Sequence, residues 1–255
     1  MKLFASDYDG TLFKDRIIRE DDLHSIRKFR EQGHKFGLVS GRSIDSLKTE
    51  IEKHDIPVDF IVGINGGAVE TGEGEQLFIS TMETDIAHEL IEAVENFGVK
   101  FYGANDGYRL SRVYCSDDVD DCFKPNINLV PMDIMLDEGV SAMYVWVGDE
   151  DRAQALANMI TEQYGDQGII AYPNVHSVDI GIKGISKSTG LEMIIDHYNV
   201  DDTVYTIGDS FNDVPMIKDF HGFVMENGVD EVKAYGKAVH ETVGYALNSI
   251  LKDVQ

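Results

Sequence analysis

The sequence predicts an α/β protein: a parallel sheet covered by helices on both faces, interrupted by an inserted α+β segment. Three observations predict it. Over the first third of the chain, short apolar runs alternate with helix-length amphipathic stretches. From about Thr84 to Ile182 the texture changes to longer strands with period-two alternation, as in a sheet with one packed face. After Ser186 the first texture returns, so the outer segments belong to one core.

Taken in order, the run from Lys2 to Ser6 is a strand that stops at Asp7, Tyr8, Asp9, Gly10 and Thr11. A helix near Asp21 to Gln32, a strand at Lys35 to Val39, a helix from Ser43 to His54 and a strand at Asp59 to Ile64 follow. The stretch "GAVETGEGEQLFIST" places two strand-like runs around Gly-Glu-Gly and predicts a hairpin. In the inserted segment, "VKFYGAN", "YRLSRVY", "SAMYVWVG" and "HSVDIGI" are strands, with helices near Ile86 to Asn96 and Asp151 to Tyr164. The returning segment supplies a helix after Ser186, the strand "TVYTIG", a helix at Val214 to Lys218, the strand "GFVM" and a last helix near Thr242 to Lys252.

Charge excludes several partners. Lys and Arg number 22 against 46 Asp and Glu, a formal net charge of -24, so the surface repels nucleic acid and anionic membranes. No apolar run has membrane-spanning length and no charged-then-apolar leader opens the chain, so a cytoplasmic protein is expected. Cys115 and Cys122 form neither a redox pair nor a zinc knuckle and are expected to be free thiols. The stretch from Cys115 to Glu138 holds seven acidic residues against Lys124 alone and reads as a solvated loop.

Four strand or helix ends carry chemistry. Asp7 and Asp9 alternate along an extended segment and so point one way, where they repel unless a cation lies between them. An Asp-Gly turn is the plain reading, a metal and phosphate site the functional one. Ser40, Gly41 and Arg42 follow the next strand; a hydroxyl and an approachable amide suit an anion, and a helix N-cap explains them equally well. Lys187 stands in the first turn of a helix, where a lysine is by default a surface residue. In "TIGDSFNDVPMI" a strand ends at Gly208 and delivers Asp209, Asn212 and Asp213, in a loop without the closing acid of a calcium-binding hand. A capped turn remains the alternative there. The two acidic clusters are about two hundred residues apart, yet both fall on strand ends, where open α/β sheets bind ligands.

In this order and context "DYDGT", "SGR", "SK" and "GDSFND" resemble the four motifs of the haloacid dehalogenase-like phosphohydrolases. The insertion between the second and third motifs resembles the C2-type cap of the Cof-type branch. "INGG" at Ile64 to Gly67 and the tail "VMENGVDEVKAYGKAV" resemble that branch too. The resemblance implies a Rossmann-like core in residues 1–83 and 183–255 and a substrate-selecting cap in residues 84–182.

It also implies a magnesium-dependent phosphatase of small phosphorylated metabolites, sugar phosphates foremost, with oligomeric state left open. Asp7 would be the nucleophile and Asp9 the general acid and base. Magnesium would be held by the carboxylates of Asp7 and Asp209 and the backbone carbonyl of Asp9, with Asp213 behind one of its waters. Ser40, the Gly41 amide, Lys187 and Asn212 would bind the phosphate. Arg42 either joins them or forms a salt bridge that steadies its loop. Relatives that pump ions carry Thr in place of Asp9, so Asp9 speaks for a phosphatase or a mutase, and the large cap speaks for hydrolysis. Phosphotransfer, or a catalytically weak ligand-binding regulator on the same fold, are the alternatives. In the cap, Arg109 suits a second anionic group and His176 a hydroxyl. Tyr102, Arg112, Tyr144, Trp146, Tyr172 and Asp179 are further polar and aromatic side chains there, with packing or solvated positions as their ordinary reading.

Overall fold

The computed structural model describes residues 1–116 and 129–252; Cys122, Lys124 and the middle of the acidic stretch lie outside the described residues. The elements run β1 (Leu3–Ser6), α1 (Glu20–Glu31), β2 (Lys35–Val39), α2 (Ile44–His54), β3 (Phe60–Gly63), β4 (Ala68–Thr71) and β5 (Gln76–Ile79). Next come α3 (Thr84–Phe97), β6 (Phe101–Asn105), β7 (Leu110–Tyr114), α4 (Met132–Glu138), β8 (Ala142–Trp146), α5 (Glu150–Tyr164), β9 (Ile169–Asn174) and β10 (Ser177–Ile182). The chain closes with α6 (Lys187–Tyr198), β11 (Val204–Gly208), α7 (Val214–Asp219), β12 (His221–Met225), α8 (Asp230–Lys233), β13 (Ala238–His240) and α9 (Val243–Lys252).

Two sheets result. The larger has the order β13-β12-β11-β1-β2-β3-β4-β5 and is parallel from β13 to β3, with β4 antiparallel to β3. The alternation of β1 explains why both faces are covered. Leu3 and Ala5 join Val62, Leu191 and Ile194 on one side, while Phe4 meets the rings of Phe29 and Phe36 on the other. This is the α/β fold that the sequence predicts. The smaller sheet is antiparallel, in the order β7-β6-β8-β10-β9. Tyr102, Met143, Val145, Val178 and Ile180 turn one of its faces into an apolar core with α3 and α5.

The chain divides into two compact units, Met1–Phe78 with Ser186–Gln255, and Ile79–Ile185. Four elements depart from the sequence reading: the short α8 and β13 hold too few residues to show a period, and the other two have local causes. The described end of the acidic stretch is not loop throughout, since α4 forms there and buries Met135 and Leu136. The strand β9 escapes notice because Pro173 interrupts its apolar pattern. Proline gives up a ladder hydrogen bond, and β9 tolerates this as an edge strand, paired among the described residues with β10 alone.

Candidate active site

Four strand ends lie side by side in the larger sheet. In the order β11, β1, β2, β3 the strands run parallel, and the residues just past their carboxyl ends are Asp209, Asp7, Ser40 and Ile64. Strand order reverses at β1, with β2 and β3 to one side and β11, β12 and β13 to the other. A ligand crevice opens at such a switch point.

Lys187 begins α6, whose entry is set by a capping box between Ser186 and Thr189. It is wholly buried rather than a surface lysine. Its Nζ donates at 2.6 Å to Asp7 Oδ1 and at 2.6 Å to Asp213 Oδ1. Burial works against its charge, but the two carboxylates outweigh burial and hold the ammonium above its ordinary range. Asp7 is pushed well above the ordinary carboxylate range, by burial first; Lys187 opposes the rise, and Asp213 and Asp209 add to it. One ammonium therefore faces three carboxylates.

The loop after β11 is tied to this triad. Asp213 Oδ2 accepts from the amides of Asp209 at 2.9 Å and Ser210 at 3.0 Å. Asp209 Oδ1 accepts from the Thr11 hydroxyl at 2.8 Å. Its carboxylate lies over Gly10, where φ is +84° and a Cβ would stand 2.7 Å from Oδ2, so only glycine fits. Ligand oxygens of Asp7, Asp209 and Asp213 lie within 4.8 Å of one another. Three hard oxygen donors, an excess of negative charge and a cradle kept open by Gly10 fit magnesium.

Asp9 takes a different course from the one that strand alternation implies. β1 ends at Ser6, so alternation no longer applies, and the two carboxylates engage different cations. Arg42 holds Asp9 with both arms of its guanidinium, Nε to Oδ2 at 2.6 Å and Nη2 to Oδ1 at 2.7 Å. The guanidinium stacks 5.1 Å above the Tyr8 ring, and Tyr8 donates its hydroxyl to Glu50 at 2.9 Å. The side chain of Asp9 is thus outside the acidic cluster. Of the two readings open for Arg42, the geometry realises the salt bridge.

Ser40 is buried, and its hydroxyl accepts from the Arg42 amide at 3.2 Å. The helix cap that the sequence left open at this loop falls on Ser43, which accepts from Ser46. Gly41 is exposed. Asn212 donates to Asn65 Oδ1 at 3.1 Å and accepts from the Ser210 hydroxyl at 2.6 Å. Sequence reasoning assigned no role to Asn65 or to Asn227, which donates to the Gly10 carbonyl at 2.8 Å. An Asn-Gly pair just past a strand was the available signal for both.

In the inserted unit, Arg109 is engaged by Asp106 and Glu138, and His176 is exposed with its ring edge-on to Trp146. Tyr102 is buried and donates to Glu95, while Arg112 donates to the Tyr144 hydroxyl at 2.9 Å. Arg112, Gly103, Tyr144, Asp179 and Tyr172 form one cross-strand row over all five strands.

A parallel α/β sheet with such a polar cluster at its switch point defines an α/β enzyme. The family described as haloacid dehalogenase-like hydrolase matches residues 4–245, and the chain belongs to it. The chain is 27% identical over 242 residues to the 5-amino-6-(5-phospho-D-ribitylamino)uracil phosphatase of Bacillus subtilis (strain 168), across 91% of this chain and 88% of that protein. A solved haloacid dehalogenase-like hydrolase from Bacteroides thetaiotaomicron shares the fold, with a TM-score of 0.82 at 20% identity, covering 98% of this chain and 99% of that one. A solved sugar phosphatase of subclass IIB shares it with a TM-score of 0.78 at 20% identity, covering 99% and 98%.

Proposed function

We propose that this protein is a magnesium-dependent phosphatase that hydrolyses small phosphomonoesters, sugar phosphates among them, through an aspartyl-phosphate. The observation that carries this reading is the buried Asp7–Lys187–Asp213 triad with Asp209 beside it at the switch point. The Bacillus relative acts, by its name, on a phosphorylated ribityl compound, and a fold neighbour is a sugar phosphatase, which supports the substrate class.

In the first step an Asp7 carboxylate oxygen attacks phosphorus; the oxygen–phosphorus bond forms as the ester bond breaks, and Asp9 gives its proton to the departing alkoxide. In the second, water gives a proton to Asp9 and attacks the same phosphorus. The bond to Asp7 breaks, so its carboxylate returns and inorganic phosphate leaves. Lys187 fixes one Asp7 oxygen, and Arg42, which engages both Asp9 oxygens, has to release one of them for Asp9 to carry and pass its proton. Ser40, the Gly41 amide and Asn212 supply neutral donors to the phosphate. Asp7 and Asp209, with the Asp9 carbonyl and Asp213 behind them, would hold magnesium, which when bound neutralises charge on a phosphate oxygen. Residues 84–182 would form the cap that chooses among substrates.

Turnover of p-nitrophenyl phosphate with and without magnesium, then phosphate release from a panel of phosphorylated metabolites, tests this. Magnesium-dependent hydrolysis with preference for sugar phosphates is expected. Absence of hydrolysis by pure protein would favour the ligand-binding alternative, and transfer to an added sugar rather than to water would favour phosphotransfer.

A further inference from the structure

The Ile-Asn-Gly-Gly stretch after β3 has no part in the chemistry above, yet its backbone is held in an uncommon conformation. Ile64 and Asn65 both adopt positive φ, 42° and 53°. A β-branched residue resists that conformation, and such strain persists only where the surroundings over-determine it. Here they do. Ile64 N donates to the Arg42 carbonyl at 2.8 Å and Asn65 N to the Ser40 carbonyl at 2.9 Å, binding the turn to the loop after β2. Gly66 presses on the entry to α6, where a Cβ would stand 2.0 Å from the Ser186 carbonyl oxygen.

The effect is to set one side chain. The carboxamide of half-buried Asn65 comes within 3.4 Å of where a Cβ on Gly41 would be, so it stands over the exposed Gly41 backbone. A chain of hydrogen bonds fixes which end of that amide points outward. Asp213 is an acceptor engaged by Lys187 and by two amides. The Ser210 hydroxyl gives its hydrogen to Asn212 Oδ1 at 2.6 Å, which turns the Asn212 amino group toward Asn65 Oδ1. The Asn65 oxygen is thereby used. Its Nδ2 carries two hydrogens that no protein acceptor takes among the described residues.

We propose that Asn65 is a substrate-binding residue of the same site, its Nδ2 donating to the anionic oxygens of the phosphomonoester. This rests on the phosphatase reading. A neutral donor suits the place, because it binds an anion without drawing in the neighbouring carboxylates as a further cation would.

Two variants and one spectrum test it. Asn65→Gly keeps a backbone at ease with positive φ and removes the amide. Asn65→Asp keeps the acceptor for Asn212 and replaces the donor by a carboxylate oxygen. With magnesium present, Asn65→Gly should raise KM for p-nitrophenyl phosphate about tenfold while kcat stays within about threefold, the loss of one hydrogen bond to a charged group. Asn65→Asp should raise KM further and weaken competitive inhibition by inorganic phosphate. In wild-type protein, the side-chain amide signals of Asn65 in a nitrogen–proton NMR spectrum should shift on titration with inorganic phosphate. KM and phosphate inhibition within about twofold of wild type in both variants would overturn the assignment, as would unmoved amide signals at saturating phosphate. If phosphate moves those signals but wild type hydrolyses no phosphomonoester, the phosphatase reading falls and the Asn65 site stands.

Discussion

At Asp7 one carboxyl group has to be both buried and nucleophilic, and its surroundings show how. Burial and two acidic neighbours disfavour its charge, and Lys187 opposes that rise without cancelling it. Asp7→Asn keeps the shape and hydrogen-bonding reach but lacks the nucleophile, so turnover of p-nitrophenyl phosphate should fall by about three orders of magnitude or more with the fold intact. Near wild-type turnover would end the covalent scheme. Asp213 is different, because it holds Lys187 and two backbone amides at once. Asp213→Ala leaves the two amides without their acceptor and Lys187 with Asp7 alone, and should cost about 1–3 kcal/mol in urea unfolding. Asp209→Ala should weaken magnesium binding in isothermal titration more than Asn212→Ala does, since only Asp209 belongs to the acidic cluster. The reverse order would reassign the loop.

Between elements, two contacts set the site from outside it. Gly66 allows the turn after β3 to touch the start of α6, and Gly190 one turn into that helix meets the same spot, where its Cβ would be 2.8 Å from the Gly66 Cα. Gly66→Ala combines a φ of +105° with a backbone clash, so it should destabilise by more than about 3 kcal/mol and displace Lys187 with its helix. A melting temperature equal to wild type would show that the approach can relax. The second contact is Asp59, at the entry to β3, which accepts from Arg30 of α1 at 2.8 and 3.1 Å, from Lys35 at 3.1 Å and from the Phe36 amide at 3.0 Å. Burial alone would raise its pKa, but these donors outweigh burial and hold it below the ordinary range. A carboxyl lowered in the folded state stabilises fully above the unfolded value of about 3.9 and loses that contribution as pH falls through the folded one. Wild-type stability should therefore fall across that acid window, and Asp59→Asn should lose stability at neutral pH while showing a shallower acid slope. Parallel slopes would remove Asp59 from the acid response.

For the molecule as a whole, charge and division into units matter most. A net charge of -24 repels an anionic substrate at long range, and added salt screens that repulsion. At fixed free magnesium, kcat/KM for a phosphomonoester should rise between low and physiological ionic strength; a steep fall would mean that local cations dominate approach. No helix among the described residues is long and apolar enough to cross a membrane. Within the inserted unit, His176 is exposed while Arg109 is engaged by two acids. If that unit selects substrates, His176→Ala should reorder a substrate panel while p-nitrophenyl phosphate turnover stays within about tenfold. A uniform loss on every substrate would place His176 in the fold or in the phosphate machinery.

What the sequence determined by itself was local. Strands, helices and the acids that end them follow from periodicity, caps and turn residues, each acting over a few positions, and Asp7, Ser40, Lys187 and Asp209 stand at element ends as the pattern predicts. Even locally, a proline hid β9 and a run of acids hid α4. Partnership was decided only in three dimensions. That β11 lies against β1 brings Asp209 and Asp213 to Asp7, that α6 docks on the Gly66 turn buries Lys187 between them, and that β1 stops at Ser6 sends Asp9 to Arg42. The reason is physical: an ion pair gains its strength from the water it loses, and desolvation is a property of the packed chain, with no trace in the spacing of residues along it.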